Sequence, residues 1–321
     1  MKAIVRDRYG PPDVLELREI DKPDLTNDGV LVRVQAASVN RGDWYTLRGM
    51  LIARPELGLR RPKSRLIGTD FAGTVEAVGA DVTGFRPGDE VFGGATGSFA
   101  EYVCARARSV ALKPADVTFE EAAAVPVAGL TALQGLRDKA QVQPGQTVLV
   151  NGASGGVGTF AVQIAKALGA EVTAVCSTRN VEQARSLGAD HVVDYTREDF
   201  TQGDRRYDVM FDNAGSRSWS ECKRVLEPHA RVVLVGGQMG NRFFGPLGHV
   251  IATRLAAMRS GRKLVFFIAK FNSADMEVLR ELLDSGQVKP AIDRRFDLSE
   301  TADAFRYMGE GHAQGKVVVT V

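Results

Sequence analysis

The sequence is poor in several residue types and patterns that mark specialised proteins. Only three cysteines stand in 321 residues, Cys104, Cys176 and Cys222, with no Cys-x-x-Cys pair. That argues against a disulfide framework and fits a reducing, cytoplasmic compartment. The four histidines, His191, His229, His249 and His312, show no three- or four-residue spacing. No helix therefore carries a histidine pair for a metal. No apolar run is long enough to span a membrane, since Arg254 and Arg259 interrupt the best candidate, 250–260,. The opening MKAIVRDRYG lacks the apolar core of a signal peptide,. A net charge of +2 is too small to make nucleic acid or an anionic membrane the main partner,. The remainder is ordinary globular composition, 44% hydrophobic and 25% charged, long enough for two domains,.

Two patterns divide the chain. Residues 1 to about 120 read as β-rich, with β-branched runs at 30–39 and 73–79 and Gly/Pro turns around 86–94,. From about 121 to 270, short apolar runs alternate with helical stretches. The apolar runs are 147–151, 171–176, 191–195, 207–213 and 230–237. Such alternation implies a doubly wound α/β unit, a parallel sheet with helices on both faces. The tail, 271–321, breaks that rhythm with two helices and a closing strand.

The stretch NGASGGVGTF, 151–160, follows the first apolar run directly and opens a helix. Ala153 to Gly158 match G-x-G-x-x-G with Ala in first place. Strand before, helix after and a second strand at 171–176 supply the context of a dinucleotide fingerprint. Small residues let the backbone approach a pyrophosphate, and N–H groups at the helix start bind it. Ser154, Gly155, Gly156 and Val157 are therefore candidate phosphate contacts. An acid about 20 residues further on normally binds the ribose 2′-hydroxyl. Here Ser177 stands nineteen residues after Gly158, followed by Thr178, Arg179 and Asn180, with no carboxylate before Glu182. Hydroxyls and an arginine suit a 2′-phosphate, so the expected cofactor is NADPH rather than NADH. Arg179 is alternatively a solvated loop arginine. Tyr195 closes the third run and either stacks near the same end of the cofactor or packs at a strand end. Asn213, Gly236 and Gly237 stand at the carboxyl ends of two further strands, where open α/β sheets bind ligands.

At this point the chain resembles the medium-chain dehydrogenase/reductase superfamily, and most of all its zinc-free quinone oxidoreductase branch. The matching segments run nearly end to end: 38–49, 68–79, 86–93, 97–103, 126–133, 151–158, 187–195, 211–215, 233–237 and 315–319. The resemblance implies a GroES-like β domain formed by both chain ends, 1–122 and 271–321, with a Rossmann domain, 123–270, inserted. Zinc alcohol dehydrogenases of the superfamily carry Cys where this chain has Asn40, and His where it has Thr69. Asn and Thr are poor zinc ligands, so a metal-free enzyme is expected. Without a Lewis acid, quinones and alkenes conjugated to a carbonyl are better hydride acceptors than plain carbonyls.

The resemblance also assigns roles. It sets Asn40 near the nicotinamide, where its amide would donate to a carbonyl oxygen or simply close a loop bond. Asp43 would hold that loop. Tyr45 aligns with a pocket tyrosine, as proton donor or as lining. Thr131 would start a helix near the nicotinamide, or cap it. Lys316 would reach the cofactor phosphate or form a surface salt bridge. Enoyl-thioester reductases of the superfamily carry a catalytic Tyr shortly after this segment. Here Arg48-Gly49 is followed by Met50, Leu51 and Ile52, which disfavours acyl thioesters. The basic stretch 50–66 reads as a solvated loop, and 241–262 as an apolar helix covering the substrate pocket. The apolar edge 263–270 should not be left bare, and a homodimer through it is expected. The rival expectation is a cofactor-binding structural or regulatory protein with little catalysis; another is a zinc-independent alcohol dehydrogenase-like enzyme.

Overall fold

The structure, a computed structural model, describes residues 1–50, 54–236 and 262–321, with Thr253 and Ala257. Gly237 and nearly all of 241–262, including the proposed pocket-covering helix, lie outside the described residues, as do 51–53. Residue contacts divide the chain into two units, Met1–Leu130 with Lys270–Val321, and Thr131–Ala269. The Phe119–Ala123 helix packs on strands Gly29–Val39 and Asp70–Val78, which carries the first unit beyond residue 122.

The inserted unit holds a six-stranded sheet. From one edge to the other its strands are His191–Asp194, Glu171–Cys176, Thr147–Asn151, Tyr207–Asp212, Leu226–Leu234 and Lys263–Phe266. Every neighbouring pair is parallel. Counted along the chain, the order is 3-2-1-4-5-6, that of a Rossmann sheet,. The central strands read as continuous apolar runs because both their faces are covered. Val148, Leu149 and Val150 are fully buried, as are Phe160 of helix Gly156–Ala167 and Phe211. The chain reverses its winding between Thr147–Asn151 and Tyr207–Asp212, and the carboxyl ends of these strands face the switch point where such sheets bind ligands,.

The other unit is a GroES-like β domain built around the long strand Gly29–Val39. Strand Asp70–Val78 runs antiparallel along it, with Ser38 opposite Asp70. The closing strand Lys316–Thr320 pairs with its far end, Val317 opposite Val39. Strand Tyr102–Arg106 pairs with its near end. The two chain ends thus share one core. Phe99 and helix residue Phe305, both fully buried, meet edge to face with ring centroids 5.7 Å apart. Among the described residues no helix is long and apolar enough to cross a membrane.

If this aromatic pair joins the chain ends, Phe305→Ala should destabilise the protein by about 3–5 kcal/mol. In urea unfolding, Phe99→Ala and Phe305→Ala should show a coupling of about 0.5–1.5 kcal/mol. Strictly additive losses would count against a direct contact.

Candidate active site

Two groups of candidate residues emerge, one in each unit. In the inserted unit, strand Thr147–Asn151 runs into a turn closed by Gly152 and Ala153 N–H donating to Val175 O, at 3.2 and 3.0 Å. Gly152 has φ +83°, which a side chain would strain,. A Cβ on Gly158 would lie 2.1 Å from Gly152 O, so only glycine lets the helix seat against the turn. At Gly155 the situation differs: an added Cβ would meet nothing closer than Asn213 Nδ2 at 3.5 Å. The backbone there is open rather than packed. Gly155 precedes helix Gly156–Ala167, whose first N–H groups, those of Gly156, Val157 and Gly158, have no carbonyl within the helix,. This bare, donor-rich turn, partly exposed from Ser154 to Val157, fits a pyrophosphate,.

The adjoining strand ends are stitched together. Asn151 Nδ2 donates to Asp212 Oδ1 at 2.8 Å, and the same oxygen accepts from Gly215 N at 2.8 Å. Asn213 N donates to Asn151 O at 3.0 Å. Gly236 is buried, and a Cβ on it would lie 2.3 Å from Asn213 O. Asn213 is half-buried, with its amide turned towards the Gly155 turn.

The turn after strand Glu171–Cys176 holds half-buried Ser177 and exposed Thr178 and Arg179. Tyr195, beside it, is 54% exposed. Sequence spacing missed one group. Asp194, at the end of the neighbouring strand, accepts from Thr178 Oγ1 at 2.5 Å and from Thr196 Oγ1 at 2.7 Å. The bond from Thr178 leads in holding its carboxyl below the ordinary carboxylate range. A carboxylate therefore does reach this turn, and Thr178's hydroxyl is committed to it. The parallel register, Asp194 opposite Cys176, is the only signal that would have found it.

In the other unit, three strands converge on a buried polar cluster. The register that sets Val317 opposite Val39 brings Lys316 beside Asn40, and Ser38 opposite Asp70 completes the set. Lys316 Nζ donates to Asn40 Oδ1 at 2.6 Å and lies 3.3 Å from Asp70 Oδ2. Asn40 Nδ2 donates to Asp70 Oδ2 at 2.8 Å, and Ser38 Oγ does so at 3.0 Å. Asp70 Oδ1 accepts Val127 N, at the start of helix Pro126–Leu133. Asp43 Oδ2 accepts Asn40 N at 2.9 Å and its Oδ1 accepts Thr69 Oγ1 at 2.9 Å. Arg6, also buried, adds a second cation; burial lowers its pKa, and Tyr9 and Asp43 pull it back up.

Two expectations need correcting. The Lys316 side chain is 3% exposed and committed to Asn40 and Asp70, so it neither reaches out to a phosphate nor forms a surface bridge. Thr131 falls inside helix Pro126–Leu133 and does not start it, because Pro126 takes the first position,. Asn40 is spent largely on the cluster; one amide N–H remains for any further partner,. Tyr45, on helix Arg41–Arg48, differs from both. Its Oη is buried, with the Arg41 guanidinium close by but no well-formed hydrogen bond among the described residues. Burial pushes its pKa up, while Arg41 pulls it back. The phenol therefore stays protonated at neutral pH and can donate.

Burial first, then the neighbouring Asp70, push the Asp43 pKa up to about 6, against the pull of Thr69, Asn40 and Lys316. Zinc does not fit this cluster. Asn40 and Thr69 are not zinc ligands of useful strength, and the Lys316 ammonium already occupies the Asn40 oxygen,. Among the described residues no group of three His, Cys, Asp or Glu side chains is arranged for a metal.

Fold and site together define a two-unit nucleotide-dependent oxidoreductase architecture, and the comparisons with known proteins agree. Residues 26–115 match the alcohol dehydrogenase GroES-like domain, and 187–319 match a family described as zinc-binding dehydrogenase. The chain is 36% identical to 2-methylene-furan-3-one reductase of Solanum lycopersicum, over 99% of this chain and 79% of that protein. It is 34% identical to the chloroplastic NADPH-dependent alkenal/one oxidoreductase of Arabidopsis thaliana, over the same shares of 99% and 79%. The quinone oxidoreductase structure from Coxiella burnetii superposes with a TM-score of 0.86 at 32% identity, covering 100% of this chain and 99% of that one. The chain belongs to the medium-chain dehydrogenase/reductase superfamily, and within it to the quinone oxidoreductase-like branch.

Two outcomes test the cluster. Lys316→Met leaves the Asp70 charge buried without its cation and should cost about 3–5 kcal/mol in unfolding free energy. Lys316→Met with Asp70→Asn should cost much less than the sum of the two single changes. The second outcome concerns pH. A carboxyl raised to about 6 when folded, from about 4 when unfolded, holds a proton that unfolding releases,. Its contribution to stability therefore falls by up to about 3 kcal/mol as pH rises from about 4 to 6, and is flat above. Relative to Asp43→Asn, the wild type should gain that much on acidification across this window in paired urea titrations. Parallel pH profiles would refute the assignment.

Proposed function

We propose that this protein is an NADPH-dependent reductase of quinones or α,β-unsaturated carbonyls that works without a metal. The observation carrying the reading is the open, glycine-lined turn at the sheet's switch point; Ser177 and Arg179, in the turn after strand Glu171–Cys176, are assigned to the ribose end. The relatives named as alkenal/one and furanone reductases, and the quinone oxidoreductase fold, support the acceptor class. When bound, NADPH supplies the hydride.

The chain's own part is binding, orientation and proton supply. Gly155, Gly156 and Val157 hold the pyrophosphate on the helix start; Ser177, Arg179 and Tyr195 receive the adenosine end; Ser154, Asn213 and Gly236 line the rest of the cofactor site. Tyr45 is the group assigned to the acceptor's carbonyl oxygen, since its buried hydroxyl makes no well-formed hydrogen bond among the described residues and stays protonated,. Asn40 fixes the start of the Tyr45 helix, anchored by Asp70 and Lys316. A reducing compartment, the cytoplasm on the sequence reading, suits three free cysteines,. Strand Lys263–Phe266 is the sheet edge, its Leu264, Val265 and Phe266 partly exposed and nearby Ile268 79% exposed. A second copy pairing there would cover it.

Steady-state oxidation of NADPH and of NADH, with an ortho-quinone and a small enone as acceptors, tests the reading. NADPH should be preferred, and at least one acceptor should turn over. Tyr45→Phe should lower kcat/KM by about tenfold for a lost hydrogen bond, or by about a hundredfold or more if Tyr45 is the acid. Saturable NADPH binding without turnover of either acceptor would contradict the proposal.

A further inference from the structure

The turn Ser177–Asn180 contains a residue whose side chain is committed in an unexpected direction. Asn180 precedes helix Val181–Ser186. Asparagine there ordinarily turns its side-chain oxygen onto the helix's free N–H groups. Asn180 makes no such cap. It is 3% exposed, and its Oδ1 is buried with no hydrogen-bond partner among the described residues. The side chain instead turns back along the chain: Nδ2 donates to Ser177 Oγ at 3.1 Å. The backbone of Asn180 donates to the same residue, N to Ser177 O at 2.9 Å. Asn180 therefore clamps Ser177 twice.

This fixes the polarity of the serine. A hydroxyl has one hydrogen to give and lone pairs to receive. With Asn180 donating to Oγ, the Ser177 O–H must point elsewhere, and it meets no acceptor among the described residues. Ser177 is only half-buried and exposed Thr178 and Arg179 follow it, so a ligand can reach the turn where this hydrogen is left to give. The neighbouring hydroxyl cannot substitute, because Thr178 Oγ1 is engaged by Asp194 and Thr196. A donor at this turn suits a phosphate, which offers only acceptors at neutral pH, and is indifferent to a ribose hydroxyl, which can offer either.

We propose that Asn180 is a positioning residue for cofactor choice: it presents Ser177 as a donor and so selects a 2′-phosphorylated adenosine. The inference rests on the NADPH reading above. Its effect should appear in binding as well as turnover, so the probes are 2′,5′-ADP and 5′-ADP, titrated calorimetrically against the whole protein. The wild type should bind 2′,5′-ADP more tightly. Asn180→Ala should weaken 2′,5′-ADP by about tenfold while leaving 5′-ADP unchanged, a loss on the scale of one hydrogen bond. Asn180→Asp keeps the shape, replaces the donor with an acceptor and draws the Ser177 hydrogen inward; it should weaken 2′,5′-ADP further. In a Ser177→Ala background, Asn180→Ala should add nothing. Equal weakening of both probes would make Asn180 merely structural, and an unchanged ratio in both variants would overturn the proposal. Equal binding of the two probes by the wild type would instead overturn the NADPH reading and take this inference with it.

Discussion

One buried ammonium, Lys316 Nζ, has to be balanced in a part of the protein that excludes water. Two carboxylates, Asp70 and Asp43, stand near it, and Asn40 lies between. Isolated charges in such surroundings are strongly disfavoured, so every lone pair and proton must be met. The requirement reaches outward. It ties the last strand to Gly29–Val39 and starts the helix that carries Tyr45. It engages the first turn of helix Pro126–Leu133 through Val127 N. It also keeps Asp43 out of water beside Asp70, and burial first, then that neighbouring charge, raise its pKa to about 6,.

The same cluster explains how the chain differs from the zinc enzymes it resembles. A cation is present, but it is covalently part of the protein and bonded to the Asn40 oxygen. A protein ammonium orients neighbours without offering an open coordination position to a substrate. On the proposed metal-free reading, polarisation of a carbonyl falls to hydrogen-bond donors such as the Tyr45 phenol. Quinones and enones, whose conjugation spreads the developing charge, suit such donors better than simple ketones.

The inserted unit was largely legible in the sequence. Apolar runs separated by helical stretches, and a glycine turn after the first run, were enough to anticipate the parallel sheet and the strand ends that face the ligand side. The polar cluster was not legible in the same way. Asn40 and Lys316 lie 276 residues apart, and only the strand register brings them together. Asn40 and Thr69 could be identified as departures from a metal site, but nothing local revealed that Lys316 would bond Asn40. Asp194 escaped for a related reason: spacing along one strand says nothing about its parallel neighbour. Thr131 was misplaced by a boundary, since Pro126 starts its helix earlier than the motif suggested.

In this account the cofactor contributes the reducing equivalent, and the chain contributes a phosphate turn on one unit and a rigid, donor-bearing polar cluster on the other. Its central claim is that reduction proceeds by direct hydride transfer to an acceptor carbon. Turnover of a small enone with NADPH deuterated at the nicotinamide C4, followed by mass spectrometry of the product, tests that claim most directly. Deuterium retained at the carbon β to the carbonyl, with an unlabelled proton on the α carbon, is the result predicted. A product whose β position carries only solvent hydrogen would contradict it.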